Sequence, residues 1–250
     1  MRAAVIGGTG TVGRLTVEAL RRAGHEAVVV ARSRGVDVTS GEGLAAALER
    51  VEVVVDVTNF QGRDAETTRA LFGAAMRNLL AAEQQANVRH HVLLSIVGVD
   101  RFGGNAHYAG KRLQEQLLSS GPIPYTIQRA TQFHEFAATV VSWTRQGQQA
   151  TLPPVLVQPV AAADVAAVLA EVAVGPPQGR AVDLAGPQPQ DLVDMARRTL
   201  AARGESIQLI PSWRTGVYGI EAAGEMCLPG PEARIAPTTF DDWLAAEAAK

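Results

Sequence analysis

Gly8, Gly10 and Gly13 stand in the spacing G-x-G-x-x-G, and Gly7 adds a second frame, Gly7-x-x-Gly10-x-x-Gly13. The pattern directly follows a short apolar run at residues 3–6 and opens a helical pattern over 12–22. Glycine there permits a tight turn and lets backbone amides approach a pyrophosphate. The helix N-terminus adds unsatisfied N–H groups and the positive end of its dipole. Outside that strand–turn–helix setting the pattern would be only a glycine-rich turn; inside it, the pattern predicts dinucleotide binding. Gly7, Thr9, Gly10, Thr11 and Val12 are the expected contacts at this turn.

The second apolar run, 28–30, ends in Ala31-Arg32-Ser33-Arg34. A site built for NAD carries Asp or Glu about 20 residues after the glycines, where it holds the ribose 2′-hydroxyl. Here two guanidiniums and a hydroxyl occupy that tip, and arginine presents a fork suited to a phosphate. Arg32, Ser33 and Arg34 therefore point to the 2′-phosphate of NADP(H) as the cofactor feature read. The plain alternative is a pair of solvated loop charges in an arginine-rich chain. Asp37 and Val38 lie farther on, toward the adenine edge. Ligands of open α/β sheets sit at the carboxyl ends of strands. Thr58 and Asn59, after the run 52–57, and Thr131, Gln132 and Phe133, after the run 125–128, are then further cofactor-lining candidates.

The elements that must hold these residues alternate. Strand-like runs at 3–6, 27–31, 52–57, 91–97 and 125–128, with a short one at 36–38, are separated by helical patterns at 12–22, 44–48, 65–85 and 108–119. The run 52–57 is almost continuously β-branched, as expected for a strand covered on both faces. Such alternation predicts a doubly wound parallel sheet, an α/β Rossmann architecture. The second half is less regular, with helices at 164–174, 191–202 and 240–249, short strands at 181–184 and 207–210, and an aperiodic Gly/Pro-rich segment at 212–237. Thr238-x-x-Asp241 has the spacing of a capping box for the last helix. The expected division is a nucleotide-binding domain over 1–150 and a smaller C-terminal α+β region over 151–250 that covers the substrate and is integrated with the first.

Composition sets limits. The chain has 250 residues, 23 basic and 25 acidic, a net charge of −2 and 47% hydrophobic residues. That argues against disorder and against a nucleic-acid binder relying on a broad basic face. The one cysteine, Cys227, excludes an internal disulfide, and no apolar run approaches a membrane span of about 20 residues. A cytoplasmic protein with a small-molecule substrate, monomeric or homodimeric, is expected. His90 and His91 point to opposite faces of a strand and do not converge on a metal. Trp143, Trp213 and Trp243 are expected as packing anchors. Lysine occurs only at 111 and 250; every other basic residue is arginine.

Residues 7–13, the turn 31–34, Leu94-Ser95-Ile96-Val97-Gly98, Lys111 with Glu115, Arg129-Ala130-Thr131-Gln132-Phe133, Gln158-Pro159-Val160 with Asp164-Val165-Ala166, and Leu184-Ala185-Gly186-Pro187 together resemble the NmrA-like, atypical branch of the short-chain dehydrogenase/reductases. The wider superfamily transfers hydride with a Ser, a Tyr and a Lys, the last two spaced Tyr-x-x-x-Lys. An ammonium lowers the tyrosine pKa from near 10, and helical spacing sets the pair on one face. The resemblance implies Lys111 as a ribose contact and Ser95 as the serine, the latter with a plain β-strand serine as its alternative. The chain departs from the pattern at the tyrosine: His107 stands four residues before Lys111 and Tyr108 three before it. Either can give a proton, His107 because histidine titrates nearest neutrality, or both can simply line a wall. The function implied is an NADPH-dependent reductase of a quinone or other carbonyl compound. The alternatives are a non-catalytic NADP(H)-binding redox sensor and, more weakly, a nucleotide-sugar epimerase.

Overall fold

The computed structural model describes residues 1–60, 64–101, 105–214 and 217–249. The opening apolar run forms β1 (Arg2–Ile6), its last four residues buried. It runs into the glycine turn, and α1 (Thr11–Arg22) starts at Gly10. Its buried Val12, Gly13, Thr16, Val17 and Leu20 recur at three- to four-residue intervals, the period of a helix lying on a sheet. Gly24, at φ +80°, follows its C-cap, a left-handed position suited to glycine. β2 (Glu26–Val30) pairs in parallel with β1. After a 3-10 turn at Arg32–Arg34 and α2 (Leu44–Ala47), β3 (Val53–Asp56) pairs with β1 on its other side, also in parallel.

α3 (Ala65–Ala86) and α4 (Ala106–Ser119) pack on each other and bracket β4 (His90–Ile96), which is parallel to β3. Both helices begin with a side-chain cap. Asp64 accepts from Thr67 N, and Asn105 accepts from His107 N and Tyr108 N, so each satisfies amides that a first helical turn leaves open. β5 (Tyr125–Ala130) lies beside β4, giving the order β2-β1-β3-β4-β5. The chain leaves β1 in one direction and β3 in the other. The carboxyl ends of β1 and β3 therefore form the switch point where such sheets bind ligands. The core includes Ile6, Val30, Leu44, Leu48, Val54, Met76, Leu79, Leu93 and Leu118.

The rest of the chain forms α5 (Phe136–Thr144), β6 (Gln149–Leu152), β7 (Leu156–Val157), α6 (Ala162–Val174), β8 (Gly179–Arg180), β9 (Leu184–Ala185), β10 (Gln190–Asp191), α7 (Leu192–Ala202), β11 (Gln208–Pro211), β12 (Arg234–Ile235) and α8 (Phe240–Ala248). Two compact units result. One holds Met1–Arg129 with Val165–Val182; the other holds Ala130–Asp164 and the chain from Asp183 onward. In the first, β8 extends the sheet by pairing with β5. In the second, β9 pairs with Ala130 and β12, β6 with β11, and β7 with β10. The ring of Phe240 stacks on Trp243 at 5.6 Å and lies 5.5 Å from His134, which anchors α8. Among the described residues no helix is long and apolar enough to cross a membrane.

Several local expectations need correction. Residues 36–38 form no strand: Asp37 makes a single bridge to Glu42 inside a tight loop. Of the run expected at 181–184 only Leu184 lies in a strand, opening β9, while β8 falls just before the run at Gly179–Arg180. The segment 136–154, to which the sequence assigns no element, contains α5 and β6; α5 has weak amphipathic contrast and resembles an apolar loop in sequence. The final helix is capped by Thr239 with Asp242, one residue later than the predicted box. Asp164 lies inside the first turn of α6 and accepts from Thr238 N. Trp143 is 50% exposed, so it is no buried anchor. Lys250 lies outside the described residues, as do residues 215–216 of the aperiodic segment.

Gly13 shows how close the turn is. A Cβ there would sit 2.2 Å from Gly7 O and 2.7 Å from Gly8 Cα, and both are backbone atoms with no rotamer to yield. Gly13→Ala is expected to lift α1 off β1 and destabilise the fold by about 1–3 kcal/mol, as other overpacked sites do. Thermal melts of the two proteins check this; an unchanged melting temperature contradicts it.

Candidate nucleotide site

The carboxyl ends of β1, β2 and β3 enclose a cleft of about 440 Å³. Gly7, Thr9 and Gly10 form its floor, with Gly7 at φ +80°. Arg32 and Ser33 stand at one wall with Asp37 and Val38, and Thr58 and Asn59 at the other. Nine of the cofactor-lining candidates are thus brought together, with apolar sides from Ile6, Val30, Val36, Val57 and Phe60 that the sequence reading did not assign. Thr11 and Val12 form the first turn of α1, and Arg34 is exposed outside the cleft wall. Thr131, Gln132 and Phe133 belong to the second unit. There Thr131 Oγ1 donates to Gln158 O at 2.6 Å, Gln132 Nε2 to Tyr218 Oη at 3.2 Å, and Phe133 bridges to Val160.

The cleft fits a dinucleotide at its phosphate end. The first turn of α1 carries no acidic residue, and Gly10 caps it without a side-chain bond, so its amides stay open to an anion. Arg32 and Asp37 are its charged side chains. Asp37 faces its own loop: Oδ1 accepts from Thr39 N at 2.8 Å and Thr39 Oγ1 at 2.6 Å. The Thr39 bonds hold its carboxyl below the usual range, and the Arg32 charge adds to them.

Behind the wall of Thr58 and Asn59 lies a buried polar network. Asp56 closes β3 and is fully buried. Its Oδ1 accepts from Thr58 N at 2.8 Å, and its Oδ2 accepts from Gln114 Nε2 at 2.7 Å. Lys111 is 4% exposed and donates to Thr58 O, Leu94 O and Gln114 Oε1, each at 3.0 Å. Its ammonium also lies 5.3 Å from the Phe72 ring centroid. Burial pushes its pKa down to about 8 against the pull of Asp56 and Glu115. The implied ribose contact therefore has to replace one of three existing bonds.

His107 does not titrate near neutrality, contrary to expectation. Burial, reinforced by the Lys111 charge, pushes it down to about 4, and the Phe60 carbonyl accepts a hydrogen bond from its ring. Its ring lies 5.6 Å from Phe72, which in turn meets Phe60 edge-on at 5.0 Å. Tyr108 is 3% exposed, on the buried face of α4. Ser95 is equally buried, and its Oγ has no hydrogen-bond partner. His90 and His91 do face apart: His90 Nε2 meets Thr126 Oγ1 at 2.9 Å, and His91 Nδ1 meets Glu83 Oε1 at 2.8 Å. Asp56 and Gln114 were missed, although an acid ending an all-valine strand was a visible signal.

A family model described as NAD(P)H-binding matches residues 7–176, more than half of the chain. The chain belongs to this NAD(P)H-binding family. The match takes in the glycine turn, both cleft walls and α4. The fold resemblance extends further: NADPH-dependent quinone oxidoreductase QOR2 from Escherichia coli superposes with a TM-score of 0.70 at 15% identity, covering 98% of this chain and 99% of that one. A short-chain dehydrogenase/reductase superfamily protein from Agrobacterium tumefaciens with bound NAD gives 0.71 at 18% identity, covering 100% and 96%. At these identities the likeness shows the Rossmann fold. In sequence, photosystem II assembly factor Ycf39 from Synechocystis sp. is 29% identical over 141 residues, 51% of this chain and 43% of that relative. The chain thus spans less than half the length of that curated relative.

Proposed function

We propose that the protein is an NADPH-dependent reductase of a small organic acceptor, a quinone or other carbonyl compound. The observation that carries the reading is the cleft itself: a glycine turn opening a helix, faced by the Arg32–Ser33 tip where an NAD site would present a carboxylate. The QOR2 likeness supports the acceptor class, and the NAD bound to the Agrobacterium protein marks the competing cofactor choice. When bound, the nicotinamide supplies the hydride. The chain's part is to hold the pyrophosphate at the amides of α1, to take the 2′-phosphate on Arg32 and Ser33, and to wall the site with Thr58, Asn59 and Phe60. A quinone asks little of an acid, since water can protonate the reduced oxygen.

One observation favours a second reading, a redox sensor that binds NADP(H) without turnover. The residue at the tyrosine position, His107, is a neutral imidazole near pH 7, and the neighbouring ammonium is fully engaged. Titration with NADPH, NADP, NADH and NAD, followed by a screen of quinones and carbonyls for NADPH oxidation, separates the two. The reductase reading expects NADPH preference and oxidation by at least one acceptor. Tight NADPH binding with no oxidation by any of them would leave the sensor.

A further inference from the structure

Thr58 is held at three atoms by side chains behind the cleft. Its N–H donates to Asp56 Oδ1 at 2.8 Å, its carbonyl accepts from Lys111 Nζ at 3.0 Å, and its hydroxyl accepts from Gln114 Nε2 at 3.3 Å. The three holding groups are themselves joined. Gln114 Oε1 accepts from Lys111, and Gln114 Nε2 reaches Asp56 Oδ2. An ammonium has three N–H bonds to give, and all three of Lys111's end on the protein: Thr58 O, Leu94 O and Gln114 Oε1. Thr58 begins the wall that continues through Asn59 and Phe60, opposite Arg32 and Asp37. The buried faces are closed to rearrangement. Phe72 is fully buried beneath the ammonium, and a Cβ on Gly110 would come within 2.2 Å of its ring.

We infer that Lys111 and Gln114 are positioning residues, which set the adenosine-side wall of the cleft through Thr58 instead of touching the nicotinamide ribose. The two roles differ in which part of the cofactor they serve. A ribose contact acts on the nicotinamide half alone. A clamp on Thr58 acts on whatever lies between Thr58 and Arg32, so it governs a ligand with no nicotinamide at all. The inference rests on the cofactor reading above for its choice of ligands.

The clamp is also sensitive to protonation. Removing one proton from Lys111 leaves an amine with two N–H bonds for three acceptors. Asp56 faces the ammonium from β3, Glu115 and His107 lie on its own helix, β4 offers the Leu94 carbonyl and α3 the Phe72 ring. Glu83 of α3 and His91 of β4 lie behind Asp56, whose charge His91 feels. Among these groups, Lys111 is the one brought down to about 8.

The test compares NADPH with adenosine 2′,5′-bisphosphate, which lacks the nicotinamide ribose, by calorimetry on the wild type, Lys111→Met and Gln114→Leu. Both ligands are expected to bind about tenfold more weakly in both variants, the effect of one lost bond to a charged group. In the wild type, affinity for the bisphosphate should fall as pH rises through about 8, and that inflection should vanish in Lys111→Met. If Lys111→Met loses NADPH but keeps the bisphosphate, Lys111 is a ribose contact and the inference is overturned. If both affinities hold while only the melting temperature drops, the network is merely structural and the inference is equally overturned. Should these variants not fold, Gln114→Glu, which keeps the volume and the acceptor for Lys111 but can no longer donate to Asp56 or to the Thr58 hydroxyl, takes their place. Failure of the wild type to bind either ligand would instead reject the cofactor reading.

Discussion

Replacing Arg32 by Glu is expected to weaken NADPH binding on the order of a hundredfold while leaving NADH within a few-fold of the wild type. On the proposed reading the mutation removes charge-assisted bonds to the 2′-phosphate, together about 2 kcal/mol. It also sets a carboxylate against a dianion, which at a solvent-screened wall adds about 1 kcal/mol. The sum corresponds to roughly two decades of affinity. Glu at that tip can accept from a ribose 2′-hydroxyl, so the ratio of the two dissociation constants should fall even further than NADPH affinity alone. Arg34 is a useful control: it is exposed and outside the cleft wall, so Arg34→Glu should cost much less. Fluorescence titration of the reduced cofactors measures all four constants. Equal NADPH affinity in wild type and Arg32→Glu would reject the assignment of this side chain.

The second large effect is on stability. His90 is 3% exposed, and burial, with the charges of His91 and Arg89, brings its pKa from 6.5 to about 4. The Thr126 hydroxyl accepts from Gln178 N and can donate its own proton to Nε2 of a neutral ring. Below pH 6.5 the unfolded chain takes up a proton at His90 that the folded protein refuses. Stability is therefore complete above 6.5 and is lost as pH falls toward 4, at about 1.4 kcal/mol per pH unit and about 3 kcal/mol in all. His107 adds a slope in the same window. His91 behaves oppositely. Burial lowers its pKa, but the Glu83 charge and hydrogen bond with the Asp56 charge outweigh burial and raise it. It is protonated in both states in acid, and its contribution disappears only as pH rises through that raised pKa. Asp37 and Glu52, both held below their ordinary values, matter only lower still. Urea denaturation at pH 7, 6 and 5 should show the wild type losing stability in this range, and His90→Gln should lose visibly less per unit. The readout is the slope, not the offset; parallel lines for the two proteins would refute the assignment.

The phosphate end of the site was legible because its causes are local. Gly13 is required by a turn whose own backbone leaves no room for a Cβ, Gly7 by its left-handed φ of +80°, and Arg32 and Ser33 follow directly from the end of β2. The central helices were legible for the same reason, since their apolar period and their caps lie within a few residues. Short strands failed where the partner decides. Residues 181–184 have strand composition but only Leu184 lies in a strand, and residues 36–38 have strand composition but meet no strand. The helix at 136–144 escaped notice because its sequence carries little periodic contrast.

For the chemistry, sequence settled which residues are present and on which helix face. Lys111 as the one lysine before the terminus, His107 and Tyr108 one turn before it, and a basic tip after β2 are all properties of the chain alone. The state of those groups depended on contacts far along the chain. Thr58 and Leu94, separated from Lys111 by 53 and 17 residues, accept its hydrogen bonds, and burial and the Lys111 charge keep His107 neutral against the pull of the Phe60 carbonyl. Asp56 and Gln114, 58 residues apart, meet only because the fold brings the end of β3 to α4. Residue type and spacing fix the possible chemistry. Desolvation and the partners available in the folded interior decide the protonation state and which bonds are already taken, and those exist only once the chain has closed on itself.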